Sequence, residues 1–147
     1  MKESFWFGLG PYQIRLPGHA HVAADVIMPS QEGFGRGFTR WTFGLNRFQI
    51  FIHLSGEDLS KLKEFIDYTT KSDVIVRQIQ INGIAGVMYG NYGPPRTWID
   101  WWFKNGNTTI CLCLQSTSFP FTQPTQAEID EHDVIIGSIT VLEALNP

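Results

Sequence analysis

Two histidines and a carboxylate near the start of the chain are the residues whose types most resemble a metal site. His19 and His21 project from the same side of an extended chain, and Asp25 follows close by. Imidazole and carboxylate groups ligate zinc, but a protein site uses three or four such ligands. Because only two histidines are paired here, we interpret all three residues as polar loop side chains and predict no metal and no cofactor.

The remaining polar residues do not predict catalysis. His53 closes a predicted strand and His132 lies in a predicted helix, and neither has a Ser, Cys or carboxylate at a spacing typical of a triad. The glycine-containing segments 83–86 and 90–93 lack the following Lys-Ser/Thr pair and helix of a phosphate loop. Acidic residues in the first turns of predicted helices complement the helix dipole. We therefore predict no catalytic residues and a protein that is not an enzyme.

Aromatic residues on one face of a predicted hairpin are stronger candidates for function. Trp98 and Trp102 share this face with Asp100 and Lys104, so it is not a simple hydrophobic core. One interpretation packs the indole rings under a helix with their polar edges at its margin. The other leaves the face partly open to a partner, because Trp, Tyr and Arg anchor protein interfaces.

Two loops add candidate contact residues beside this face. The loop over 90–96 carries Tyr92 and Arg96 at its rim, and its Pro94-Pro95 pair would lower the entropy lost on binding. A second, apolar loop presents two phenylalanines. The predicted partner-binding residues are therefore Tyr92, Arg96, Trp98, Asp100, Trp102, Phe119 and Phe121.

The elements that position these residues are predicted from hydrophobic spacing. Strands are expected over 12–16, 38–43 and 47–54, and 19–37 is expected to be a loop. A first helix should run from Ser55 to about 71–72, and a second should begin at a capping box of Thr125 and Glu128 and continue to Ile139. Residues 140–145 are compatible with a short final strand.

Two Asn-Gly dipeptides predict hairpins with two-residue type I′ turns. The turn at Asn82-Gly83 pairs Ile81 with Ile84, and the turn at Asn105-Gly106 pairs Lys104 with Asn107. In the second hairpin, the core face collects Ile99, Trp101 and Phe103 with Thr108, Ile110, Leu112 and Leu114. A one-residue slip would exchange the two faces, so this apolar set favours one register.

Adjacent strands joined by tight turns predict an antiparallel sheet. We predict one α+β domain over 1–147, in which an antiparallel sheet of about six to seven strands carries two packed helices, as in an α/β/α sandwich.

Composition narrows the classes of partner. The 147 residues are 43% hydrophobic and 17% charged, with a net charge of −3 and dispersed Lys and Arg, so nucleic acid is not an expected partner.

No apolar run approaches the roughly 20 residues that span a bilayer, and the first ten residues lack a signal-peptide pattern, so we expect a cytoplasmic protein that does not bind membranes. Cys111 and Cys113 point the same way from a strand, which is poor geometry for a disulfide.

Three stretches resemble the PsbP-like superfamily, in its bacterial DcrB-like branch. Residues 12–17 resemble the opening strand, 80–86 the turn that starts the second half, and 126–139 the terminal helix. The resemblance implies an antiparallel sheet sandwiched by helices, without catalytic residues. Bacterial members of this kind commonly serve as adaptors or chaperones for secreted toxins, and similar small domains serve as immunity proteins.

The expected function is therefore a noncatalytic protein-binding module, an immunity protein or a chaperone or adaptor for a bacterial secreted toxin effector. Its partner would be another protein, and a homodimer is also compatible with the sequence. The alternative is a small-ligand-binding or enzymatic domain that uses a cavity between sheet and helix, which a deep apolar pocket would favour.

Overall fold

A computed structural model describes residues 3–27, 38–55, 76–105, 108–117 and 119–142. These residues form ten strands and one helix. The strands are β1 (Ser4–Leu9), β2 (Tyr12–Pro17), β3 (His21–Ile27), β4 (Phe38–Leu45), β5 (Phe48–Ser55), β6 (Val76–Ile81), β7 (Ile84–Asn91), β8 (Trp98–Asn105), β9 (Thr108–Ser116) and β10 (Thr140–Val141), and the helix is α1 (Gln126–Gly137).

The strands form two antiparallel sheets. A three-stranded sheet has the order β1-β2-β10, and a seven-stranded sheet has the order β3-β4-β5-β9-β8-β7-β6. The predicted α+β fold, one sheet with two helices packed on it, is therefore wrong: the described residues are mostly β, with one helix. The predicted first helix lies outside the described residues, except that Ser55 ends β5.

Two strands that the sequence did not predict account for much of this difference. β1 contains the apolar run Phe5-Trp6-Phe7 and lacks the alternation of a half-buried strand, yet it pairs along its whole length with β2. β3 lies inside the segment predicted to be a loop, and its pairing with β4 runs unbroken from His21↔Gly44 to Ile27↔Phe38. In both cases the partner strand stabilises an extended backbone that local sequence does not indicate.

The two sheets and α1 share one hydrophobic core. Phe48, Ile50 and Ile52 of β5 are buried in it, as their alternation predicted. The cluster joins all three layers; its buried members include Leu9, Tyr12, Ile14 and Leu16 of the small sheet, Phe43, Leu45, Ile99, Trp101, Phe103, Ile110, Leu112 and Leu114 of the large sheet, and Ile135, Ile136 and Ile139 from the helix and its end. The small sheet thus contributes to the core beside the helix.

The two predicted hairpins differ in outcome. Asn82 and Gly83 both have positive φ, as a type I′ turn requires, and Ile81 pairs with Ile84 as predicted. In the second hairpin Asn105 belongs to β8 and pairs with Thr108, so the predicted turn position is wrong. The pairing is displaced by two positions, which leaves every side chain on its predicted face because side chains alternate with period two.

The end of the chain follows its predicted signals. The Thr125 hydroxyl accepts a hydrogen bond from the Glu128 N–H, and the Glu128 carboxylate accepts one from the Thr125 N–H, which forms the expected capping box. The predicted final strand is present as the two-residue β10, which pairs with β2.

Candidate functional site

The face of the large sheet that is directed away from the shared core carries a row of three titratable side chains. Tyr89 of β7 pairs with Asp100 of β8, and Asp100 pairs with Cys113 of β9, so the three lie side by side across adjacent strands. Asp100 is only 8% exposed, and Tyr89 is also buried. We call this face, with Trp98 and Trp102, the outer face.

Burial raises the pKa of all three groups in this row. It raises the pKa of the Asp100 carboxyl, although hydrogen bonds from the Cys113, Tyr89 and Trp98 side chains act in the opposite direction. Burial also raises the pKa of the Tyr89 phenol and of the Cys113 thiol, and the nearby Asp100 carboxylate adds to both shifts. Because a raised pKa reduces the thiolate fraction, Cys113 is a poor nucleophile. These contacts are those of a buried polar network.

The two tryptophans of the outer face are half-buried. The Tyr89 and Trp98 rings pack edge to face with centroids 5.9 Å apart, and Val87 and Trp102 complete the cluster around Tyr89. Such aromatic pairs add about 0.5–1.5 kcal/mol beyond the area that they bury. The rings therefore stabilise one another while part of their surface stays accessible, so core packing and partner binding are both still compatible with their position.

The loop between β7 and β8 is held by its own polar contacts. The Gly93 N–H donates to Oδ1 of Asn91 at 2.8 Å, and the hydroxyl of the fully buried Thr97 donates to the Tyr92 carbonyl at 3.0 Å. Thr97 also pairs with Ser116 through a backbone and a side-chain hydrogen bond. These contacts fix both ends of the loop and leave Pro94, Pro95 and Arg96 exposed.

Tyr92 is directed from this loop toward α1. Its hydroxyl lies 3.1 Å from Nδ1 of His132, and the two rings stack with centroids 6.0 Å apart. On its other side, the His132 ring packs edge to face on Phe48 at 4.7 Å. Burial lowers the pKa of His132 and raises that of the Tyr92 hydroxyl, so both groups are shifted toward their neutral forms.

The loop between β9 and α1 is anchored by Arg47. The Arg47 guanidinium forms an ion pair with Glu128 at the start of α1 and donates a hydrogen bond to the Gln123 carbonyl at 3.4 Å. The backbone carbonyl of Arg47 accepts a hydrogen bond from the Thr117 N–H at 2.8 Å. The ion pair lowers the pKa of Glu128 to about 2. In this anchored loop the Phe119 side chain is 98% exposed.

The two loops meet at one end of the large sheet. A methyl group placed on Gly93 would lie 3.0 Å from Cε2 of the Phe121 ring, so the half-buried Phe121 packs against the β7–β8 loop. We call the exposed residues that this contact brings together the loop surface; it consists of Pro94, Pro95, Arg96, Phe119 and Pro120.

The structure divides the predicted contact residues into three places. Arg96 and Phe119 lie on the loop surface, and the half-buried Phe121 packs against the β7–β8 loop at Gly93. Tyr92 is half-buried against His132. The other three, Trp98, Asp100 and Trp102, lie on the outer face, where Trp98 directly follows the β7–β8 loop. Their role in binding stays a prediction.

Sequence reasoning missed the partners of Asp100 and Tyr92. The predicted register placed Asp100 opposite Cys111, two positions from its actual partner Cys113, so the polar row across β7, β8 and β9 could not be recognised. The contact between Tyr92 and His132 joins residues 40 positions apart, and no local pattern indicates it. Correct strand register alone would have revealed the first of these.

The structure shows the surroundings of His19 and His21, two of the three candidate metal ligands. His19 Nε2 lies 3.0 Å from a Glu131 carboxylate oxygen, whereas His21 is an exposed residue of β3. Among the described residues, no three His, Cys, Asp or Glu side chains are grouped so that they could hold a metal ion. The structure describes the backbone of Asp25 in β3 but not its side chain.

Within the described ranges, no helix has the length and apolar character needed to cross a membrane. No family model matches the chain, and neither a curated protein nor a solved structure shows significant similarity to it. The PsbP-like resemblance therefore stays a prediction.

Proposed function

We propose that the protein is a noncatalytic protein-binding module and that the loop surface is its contact site. The observation that carries this proposal is the 98% exposure of Phe119 on a loop whose flanking residues are anchored. Exposing a phenylalanine to water is unfavourable by roughly 1.5–3 kcal/mol relative to burying it. A partner that covers Phe119 would recover this free energy.

The geometry also favours binding with little loss of conformational entropy. The β7–β8 loop is closed by the Thr97–Tyr92 hydrogen bond, and the β9–α1 loop is held by Arg47. Interfaces of high affinity commonly place an aromatic or arginine anchor on a preorganised support. Phe119 and Arg96 supply an apolar anchor and a cation, so the partner surface should offer an apolar pocket and an acidic group.

The PsbP-like resemblance supports a narrower proposal. In this proposal the module acts in the cytoplasm, as an immunity protein or as a chaperone or adaptor for a bacterial secreted toxin effector. Asp100 is buried, and burial raises the pKa of the Cys113 thiol, so the Asp100 row supplies neither a reactive thiolate nor an exposed carboxylate. This supports a noncatalytic role.

The test begins with capture of the partner from native cells on the immobilised protein, identified by mass spectrometry. Affinity for that partner is then measured by titration calorimetry for wild type and for Phe119→Ser. We expect a loss of about 2 kcal/mol or more, which is the range of an interface hot spot. Leu142→Ser is the matched control, because Leu142 is also exposed, at 57%, but lies beyond β10.

Trp102→Ala separates the loop surface from the outer face. If the outer face is the contact, Trp102→Ala should cost about 2 kcal/mol or more of affinity while Phe119→Ser costs little. Equal affinity for wild type and Phe119→Ser, with the fold intact by circular dichroism, would show that the loop surface is not the contact site.

A further inference from the structure

β1 is an outer strand of the three-stranded sheet, and one of its edges has no strand partner among the described residues. Its neighbour β2 lies on one side, and β10 lies beyond β2. The pairing of β1 with β2 is continuous from Ser4↔Pro17 to Leu9↔Tyr12, without a bulge. An outer strand of this kind presents unpaired backbone groups to another chain.

The alternation of hydrogen-bonded and non-bonded residue pairs between β1 and β2 identifies these backbone groups. The Gly18 N–H donates to the Glu3 carbonyl at 2.8 Å, so Glu3 and Gly18 form a hydrogen-bonded pair. Bonded and non-bonded pairs alternate along an antiparallel ladder. Ser4, Trp6 and Gly8 therefore occupy the non-bonded positions, and their N–H and C=O groups are directed to the free edge.

Two further observations agree with this assignment of bonded and non-bonded positions. Pro17, which has no N–H, lies opposite Ser4, where β2 needs no donor toward β1. The N–H of Arg15, opposite Trp6, donates to Oγ of Ser138 at 2.8 Å on the far side of β2. The outward groups of β1 are thus the backbone N–H and C=O of every second residue.

The side chains of β1 lack the devices that protect outer strands. Natural proteins protect such edges with lysine, proline, bulges or inward charges. From Ser4 to Leu9 the strand contains no charged residue and no proline. Instead, Trp6 is 53% exposed and Phe5 is 36% exposed, and a Cβ built on Gly8 meets nothing within 4 Å.

We propose that this edge binds a second copy of the chain, with the two β1 strands antiparallel across a two-fold axis at Trp6. The outward residues are spaced symmetrically about Trp6, so Trp6 pairs with Trp6 of the second copy and Ser4 pairs with Gly8. In this register all three outward residues of each strand exchange both backbone bonds. A different register leaves at least one outward residue of each strand unpaired.

Charge and side-chain size are compatible with self-pairing. A strand that pairs with itself across a two-fold axis brings a charge near that axis close to its own copy, which is destabilising, and β1 carries no charged residue. On the side of the strand that carries Trp6, the two neighbours are Ser4 and Gly8. The Ser4 hydroxyl accepts a hydrogen bond from Arg15 Nε at 2.7 Å, whereas a Cβ on Gly8 would meet nothing within 4 Å, so the Gly8 side leaves space for the second indole ring. On the opposite side, Phe5 of one copy would lie across from Phe7 of the other, which already packs on Phe43.

Cysteine cross-linking tests the register directly. Ser4→Cys and Gly8→Cys variants are mixed and oxidised, and the linked peptides are identified by mass spectrometry so that Cys111 and Cys113 can stay in place. Paired positions lie about 5.5 Å apart between Cα atoms, which suits a disulfide. We expect the 4–8 link in the mixture and little 4–4 link in Ser4→Cys alone, since those positions are about 14 Å apart along the strands.

Trp6→Pro tests the backbone bonds, and its control is Trp6→Leu. Proline removes only an N–H that is directed to the free edge, so the β1–β2 ladder stays complete. An interface of one strand per copy is small, so we expect a weak dimer. Sedimentation equilibrium should therefore be measured up to hundreds of micromolar protein. We expect wild type to dimerise with concentration, Trp6→Leu to dimerise more weakly, and Trp6→Pro to remain monomeric with unchanged circular dichroism.

Two results would overturn the proposal. One is a wild-type protein that stays monomeric over the whole concentration range. The other is a dimer in which the 4–4 link forms as readily as the 4–8 link, because that dimer uses another surface or register. β1 lies outside the loop surface, so neither result bears on the proposed binding of a partner protein.

Discussion

Mild acidification should destabilise the folded protein through His132. This side chain is 2% exposed, between the Phe48 ring and the Tyr92 ring and hydroxyl. Burial lowers its pKa, and the nearby carboxylates of Glu131 and Glu128 only partly oppose this shift. The unfolded chain therefore takes up a proton near pH 6.5, at a higher pH than the folded protein does, and stability falls as the pH decreases through this range.

The magnitude follows from proton linkage. Between about pH 7.5 and about pH 5.5, an unfolded histidine with a pKa near 6.5 contributes at most about 1.4 kcal/mol to the change in unfolding free energy. This limit is reached when the folded protein binds no proton over the same range. Paired carboxylates such as Glu128, whose pKa is lowered to about 2, titrate below this window and do not obscure the effect.

The assay is urea unfolding followed by tryptophan fluorescence at both pH values. Wild type should lose stability on acidification, and His132→Gln should lose much less. His21→Gln is the control, because His21 is an exposed residue of β3. If His132→Gln shows the same loss as wild type, burial of His132 is not the cause of the pH dependence.

Two other substitutions test packing and electrostatics. Glu128→Gln keeps the capping box but removes the ion pair with Arg47, so at neutral pH it should cost about 1 kcal/mol in unfolding free energy. Because the pKa of Glu128 is lowered to about 2, this difference should shrink as the pH falls from about 4.5 toward that value; equal stability of the two proteins at neutral pH would contradict the assignment. A Cβ on Gly86 would lie 2.4 Å from the Trp102 carbonyl oxygen, so Gly86→Ala should cost about 1–3 kcal/mol in thermal or urea unfolding. Gly8→Ala, which meets open space, should stay within about 0.5 kcal/mol of wild type, and similar losses in both variants would show that close packing is not the cause.

Local patterns predicted the elements whose signals lie within a few residues. The capping box of Thr125 and Glu128 was recognisable because its two partners are three residues apart. The turn at Asn82-Gly83 was recognisable because few residues adopt positive φ at low cost. The buried faces of β5 and β8 followed from alternation, which survives even an error of two positions in register.

Features that depend on distant pairing were not predictable in this way. β1 and β3 exist as strands because β2 and β4 supply their hydrogen bonds, and their own sequences lack a clear period. The contact between Tyr92 and His132, and the ion pair between Arg47 and Glu128, join residues far apart in the chain.

The core-facing side chains of the β8–β9 hairpin follow from the sequence alone, because alternation assigns every residue to a face. The placement of Phe119 and Arg96 in loops also follows from the sequence, because proline and glycine interrupt the strands there. Three features depend on the folded arrangement: Asp100 lies between Tyr89 and Cys113, the two loops meet at Gly93 and Phe121, and Phe119 is left exposed. The reason is physical: which face a side chain occupies depends on the local backbone, whereas its neighbours depend on the register and packing of strands that are distant in sequence.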